Sequence, residues 1–168
     1  MDLNSEQKKL VELFVRQEVL IGKLYKLFSF RYPEHKEFWT KMSLEEHLHA
    51  SWIKRLTERD PTHKFRFSQG ELRAGYLASS IATIEGLIAG VKNNPECTIT
   101  QAVAMALHLE KALWEQNVFQ CFEGDSDDVR KILDSLQVEQ KIHMTKMEKF
   151  SLGFIQNKHA QGKPSLQG

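Results

Sequence analysis

Two cysteines in 168 residues, Cys97 and Cys121, make no disulfide framework, and no CxxC or Cys/His cluster is present to hold zinc or an iron–sulfur centre. Proline is nearly as scarce: Pro33, Pro61 and Pro95 fall between long periodic stretches, and Pro164 lies in a polar end. Net charge is missing too. The 23 Lys and Arg stand against 22 Asp and Glu, which gives no general pull toward nucleic acid or an anionic membrane. No apolar run approaches the ~20 residues that span a bilayer. The opening MDLNSEQKKL is too polar for a secretory signal. No Gly-rich dinucleotide turn marks a flavin or nucleotide site, and nothing marks a haem ligand pair. Alternation of β-branched residues is also absent. The expectation is an all-helical protein in a reducing, cytoplasmic setting, with one domain over residues 1–155 and a flexible tail over 156–168.

What is present is helical periodicity. Helix A is expected from Ser5 to Arg31, and helix B from Pro33, in its first turn, to Glu58. Their short linker makes A and B antiparallel neighbours. Arg59 to Phe67 reads as a loop. Ser68 and Glu71 form a capping box that opens a crossover helix to about Val91. An exposed apolar face on that helix would also suit a homodimer. Thr98 and Gln101 form a second capping box, opening helix C to about Phe122, and Ser126 caps helix D, which runs to about Phe150 or a little beyond.

The seams of these helices carry polar residues where core is due. Helix A places Val11, Phe14, Glu18, Ile21, Tyr25 and Phe28 at steps of 3, 4, 3, 4 and 3, and helix B repeats the steps with Trp39, Met42, Glu46, His49, Ile53 and Leu56. Helix D does so with Leu133, Leu136, Gln140, His143, Met147 and Phe150, and helix C, more weakly at its end, with Val103, Ala106, Glu110, Leu113, Asn117 and Gln120. Such spacing lines one inward face. The third position is polar in every helix, and on B and D the next is histidine. Helices B and D match at an offset of 94 and A and C at 92, so the chain is an internal repeat of two helical hairpins.

A carboxylate buried without a partner costs several kcal/mol, and several on one layer repel each other. A pair of divalent metals resolves that conflict, and carboxylate oxygen with imidazole nitrogen suits iron or manganese. Glu plus Glu-x-x-His, given twice on four facing helices, is the ligand pattern of ferritin-like di-iron and di-manganese bundles. Through this pattern, through "EVLIGKLYKLF" with Tyr25 and Phe28 after Glu18, and through "EEHLHA", the chain resembles the ferritin-like superfamily and its rubrerythrin-like branch. The resemblance covers helices A to D in that order. It implies an antiparallel four-helix bundle with an added crossover helix between B and C. It also implies two iron ions, or manganese, held by Glu18, Glu46, His49, Glu110 and His143, with Tyr25 close by. The implied activity is reduction of hydrogen peroxide, or reaction with dioxygen.

The chain departs from the family in three places. The fourth carboxylate is due at position 140, which is Gln140; Glu139 is adjacent but about 100° round the helix. The position three residues after Glu110, where rubrerythrins often carry a second carboxylate, is Leu113. No rubredoxin-like Cys₄ module is present, so electrons must come from a separate donor protein. Two other readings stand beside the peroxidase: iron handling by ferrous uptake and oxidation, and a metal-free interaction protein that keeps the fold with a degenerate site.

Overall fold

Each seam becomes the buried stripe of a helix over the described side chains, outside which Leu56, Asn117 and Gln120 lie. The computed structural model describes residues 5–59, 66–67, 70–115, 122–123 and 127–161. Five helices account for nearly all of them: α1 (Ser5–Arg31), α2 (Lys36–Arg59), α3 (Gly70–Asn93), α4 (Ile99–Glu115) and α5 (Asp127–Gln161). Pro33 opens a single 3-10 turn, Pro33–His35, that leads into α2, as its fixed φ and missing N–H allow. The cap expected at Thr98 is formed reciprocally: Gln101 N donates to Thr98 Oγ1 at 3.3 Å and Thr98 N to Gln101 Oε1 at 2.8 Å. The caps expected at Ser68 and Ser126 lie outside the described residues.

Two boundaries differ from expectation. Helix α4 is described to Glu115, and Phe122, expected as its last residue, lies in a two-residue strand β2 (Phe122–Glu123). That strand pairs antiparallel with β1 (Arg66–Phe67), inside the stretch read as a loop. The pairing gives both connections backbone partners that no local pattern contains. At the other end, α5 continues through Gln161, eleven residues past Phe150. Phe154 gives the extension a packing reason, since its ring meets His35 at 4.9 Å and Phe150 at 5.1 Å.

The contacts set the helix directions. Ser43 Oγ donates to Gly22 O, and His49 lies against Glu18, so α1 and α2 are antiparallel. Thr100 and Val103 line one cavity with Phe154, and Glu110 lies by His143, so α4 and α5 are antiparallel. Phe38 stacks on Phe150 while Glu45 meets Lys146, so α5 also runs against α2. Arg31 at the end of α1 bonds Val91 O and Asn94 O at the end of α3, so these two are parallel. Helix α3 therefore carries the chain back along the bundle between the hairpins.

Helix α3 buries Leu77, Ile81, Ile84 and Val91 against the rest. Its segment Ala74–Asn93, with a mean hydropathy of 1.3, is long and apolar enough to cross a membrane by those measures alone, contrary to the reading of the sequence. Its other face is exposed and rich in small residues. An added Cβ at Gly75, Gly86 or Gly90 meets nothing within 4 Å, so alanine there gains helix propensity at no steric cost. The triple substitution is expected to raise stability by about 2–3 kcal/mol in urea melts. Gly22→Ala is expected to do the opposite, because its Cβ would stand 3.2 Å from Ser43 O and against the His47 ring.

Candidate metal centre

The seams place Glu18 on α1, Glu46 and His49 on α2, Glu110 on α4, and Gln140 and His143 on α5, all buried at 7% exposure or less. The surrounding stripes are apolar: Phe14, Ile21, Met42, Ile53, Leu136 and Met147 are equally enclosed. Water is thus kept from a layer that holds three carboxyl groups and two imidazoles.

Glu46 is the hub. Its Oε2 lies 3.2 Å from His49 Nδ1 and its Oε1 lies 2.8 Å from His143 Nδ1. The two rings face each other at 4.8 Å between centroids, both with Nδ1 inward. Glu18 extends the layer on one side, its Oε2 3.6 Å from His49 Nδ1. Glu110 extends it on the other, its Oε1 3.9 Å from His143 Nδ1. Donor atoms of Glu46, His49 and His143 fall within 4.8 Å of one another, close enough to share a cation. Tyr25 OH donates to Glu110 Oε1 at 2.6 Å, which fixes that carboxylate. The Tyr25 ring in turn packs on Trp39 at 5.6 Å.

Gln140 is buried one turn before His143. Glu139 is half-buried and makes no hydrogen bond or ion pair to the layer. Leu113 is core, and Glu115 is exposed. Glu45, read from the sequence as a surface residue, instead approaches His143: its Oε2 is 2.9 Å from Nε2, though off the line of a hydrogen bond. Both its oxygens accept from Lys146 Nζ at 2.7 Å. A carboxylate on the far nitrogen orients an imidazole and leaves Nδ1 for a ligand. By the internal repeat, Glu139 would do the same for His49, and the structure does not use it so. The signal for Glu45 was Lys146, one turn beyond His143, which needs an anion on α2.

Without a cation the layer is balanced by protons. Burial pushes Glu18 up to about 8, against the pull of His49 and with the help of Glu46. Burial likewise pushes Glu110 up to about 7, aided by the charge of Glu46. Burial would also raise Glu46, but His143 and His49 outweigh it and hold it well below the usual range. Burial disfavours the charged imidazoles, yet Glu18 and Glu46 bring His49 up to about 9. Glu46 and Glu45 bring His143 up to about 11. Burial, with the charge of Glu110 beside it, keeps the Tyr25 phenol protonated, well above its ordinary value. At neutral pH two imidazolium groups therefore flank an ionised Glu46, with Glu18 neutral.

No protein-family model, curated protein or solved structure matches this chain. The donor atoms that meet here are carboxylate oxygens and two imidazole Nδ1 atoms, a group that could hold a metal ion. Glu46 stands between a Glu18/His49 side and a Glu110/His143 side.

Proposed function

We propose that this chain is a ferritin-like, rubrerythrin-type di-iron protein, with manganese as the alternative occupant, that reduces hydrogen peroxide in the cytoplasm using electrons from a separate donor protein. The observation that carries the reading is the convergence of two inward Nδ1 atoms on Glu46, with Glu18 and Glu110 on either side. The order and directions of α1, α2, α4 and α5, with α3 as the long return, support a ferritin-like arrangement.

Bound iron would supply two electrons to the oxidant. The chain's own residues do the rest. Glu18 and His49 hold one side, Glu110 and His143 the other, and Glu46 joins them. Tyr25 keeps Glu110 in place through its hydroxyl. Glu45, braced by Lys146, sets the His143 ring. The apolar seam around the layer excludes bulk water, which strengthens every charge interaction inside it. Gln140 contributes an uncharged amide where a carboxylate would balance the second ion.

A second reading is favoured by one observation. The Nδ1 atoms of His49 and His143 are satisfied by Glu46, and Glu110 by Tyr25, without any metal. A hydrogen-bonded polar core of this kind would suit a metal-free interaction protein. Anaerobic ferrous loading, desalting and elemental analysis separate the two. About two irons per chain are expected in the wild type, and tighter retention in Gln140→Glu. No iron in either protein would overturn the metal reading. Iron only in Gln140→Glu would mean that the natural chain uses the layer as core.

A further inference from the structure

We propose that the outer groove between α2 and α5 is the docking surface for the electron donor, and that the donor is a small one-electron carrier protein with an acidic face. The inference rests on the reading above and adds where the partner sits and what charge it carries.

Both imidazoles of the buried layer make their outward contacts in this groove. The His49 ring meets the Trp52 ring at 5.8 Å between centroids, and Trp52 is half-buried. His143 Nε2 lies 2.9 Å from Glu45 Oε2, and Glu45 is held by Lys146. The side chains of Glu45 and Lys146 are 21% and 29% exposed. On this side, then, one residue stands between each imidazole and solvent. The other aromatic line out of the layer, from Tyr25 to Trp39, runs through fully enclosed rings.

The surface around these two exits has an apolar centre and a charged rim, the make-up of an interface. Because α2 and α5 are antiparallel and Glu45 meets Lys146, Leu48 comes level with Ile142, and Trp52 with Val138. Leu48, Ile142 and Val138 are 46%, 38% and 58% exposed. Single exposed aliphatics are ordinary, but a set at neighbouring levels on two packed helices marks an interaction surface.

Charge selects the partner. Between the levels of Lys41 and Trp52 the groove carries Lys41, Lys141, Lys146 and Lys149 against Glu45 and Glu139. Glu45 is taken up by Lys146, and Lys41, Lys141 and Lys149 make no ion pair among the described residues. The whole chain is close to neutral, so this excess is local. A basic rim steers an acidic partner to the face and sets its orientation, which fits the small, short-lived contacts of electron carriers. Each encounter would take one electron from the carrier and deliver one to the buried centre, so two encounters replace the pair that peroxide removes.

The test is sedimentation of the metal-free full chain with a plant-type [2Fe–2S] ferredoxin, an acidic one-electron carrier. Saturable binding is expected at low ionic strength, weakening as salt rises. Lys141→Glu with Lys149→Glu should weaken it about tenfold or more, and so should Leu48→Gln, which leaves the charge unchanged. Lys8→Glu with Lys9→Glu alters the net charge equally at exposed positions far along α1 and should leave binding within about twofold. All five side chains are exposed, so the variants should melt like the wild type. No saturable binding, or equal loss in both charge-reversed proteins, overturns the proposal. Binding to vesicles of phosphatidylcholine and phosphatidylserine, with none to the carrier, would assign the face to a membrane and overturn it too. Failure here is distinct from failure of the metal reading: a chain that retains iron but ignores the carrier sinks only the docking surface, and one that binds the carrier but retains no iron sinks the di-iron centre.

Discussion

Between pH 5 and pH 9 the metal-free chain is expected to lose stability steadily. The sign follows from three groups. Glu18 is raised from 4.5 to about 8, His49 from 6.5 to about 9 and His143 from 6.5 to about 11. In each case the folded chain keeps a proton that the unfolded chain has released. The contribution of Glu18 is complete below pH 4.5, those of the histidines below 6.5, and each is lost as pH rises through the folded value. Glu110, raised to about 7, acts the same way. Glu46 and Glu45 act oppositely, since both are held low, and their contribution is lost as pH falls below about 4.5. Stability of the metal-free protein should therefore peak near pH 5. Ligand atoms must be deprotonated to bind a cation, so the loaded protein should gain stability over the range where the metal-free protein loses it. Urea melts of both forms at pH 5, 7 and 9 would show the two curves crossing. A flat or rising profile for the metal-free chain would contradict the proton-balanced layer.

Removal of Glu46 is expected to be the most damaging single substitution in the molecule. Glu46→Ala leaves two imidazoles facing each other with their common acceptor gone. Breaking a buried ion pair by deleting one partner costs about 3–5 kcal/mol. The histidines can limit that cost by giving up their protons, which adds a second signature: the decline of stability between pH 6.5 and 9 should flatten, because His49 and His143 lose the charge that raised them. Iron retention should vanish as well, since no other carboxylate on the layer touches both rings. The measurement is chemical denaturation of wild type and Glu46→Ala at pH 6 and pH 8. A loss of under about 0.5 kcal/mol, in the range of ordinary surface substitutions, would show that Glu46 is not the hub.

The inward stripes were open to reading because a 3.5-residue period leaves its mark on every turn. Glu18, Glu46, His49, Glu110, Gln140 and His143 all sit on those stripes, and all are buried. The role of Glu45 was hidden because it lies one residue off the seam of α2. Its meeting with His143 and Lys146 depends on how far α2 is rotated against α5, and neither helix records that angle by itself. The repeat misleads at Glu139 for the same reason: matched positions in sequence need not share an azimuth in space. Phe122 was read as helix because its pairing with Phe67 joins segments far apart in the chain, and no window along one helix contains both.

The layer takes Glu18, Glu46 and His49 from the first hairpin and Glu110 and His143 from the second, across the long return made by α3. This division orders the events by which the chain folds. The α1–α2 hairpin closes over a short connection, and it is expected to form before the contacts that join the halves. The contacts that join the two halves of the layer, Glu46 to His143 and Tyr25 to Glu110, need the hairpins docked and are expected to form late. Interactions absent at the barrier govern how fast the native chain opens rather than how fast it forms. Acidity and bound cations would then act mainly on the lifetime of the folded state.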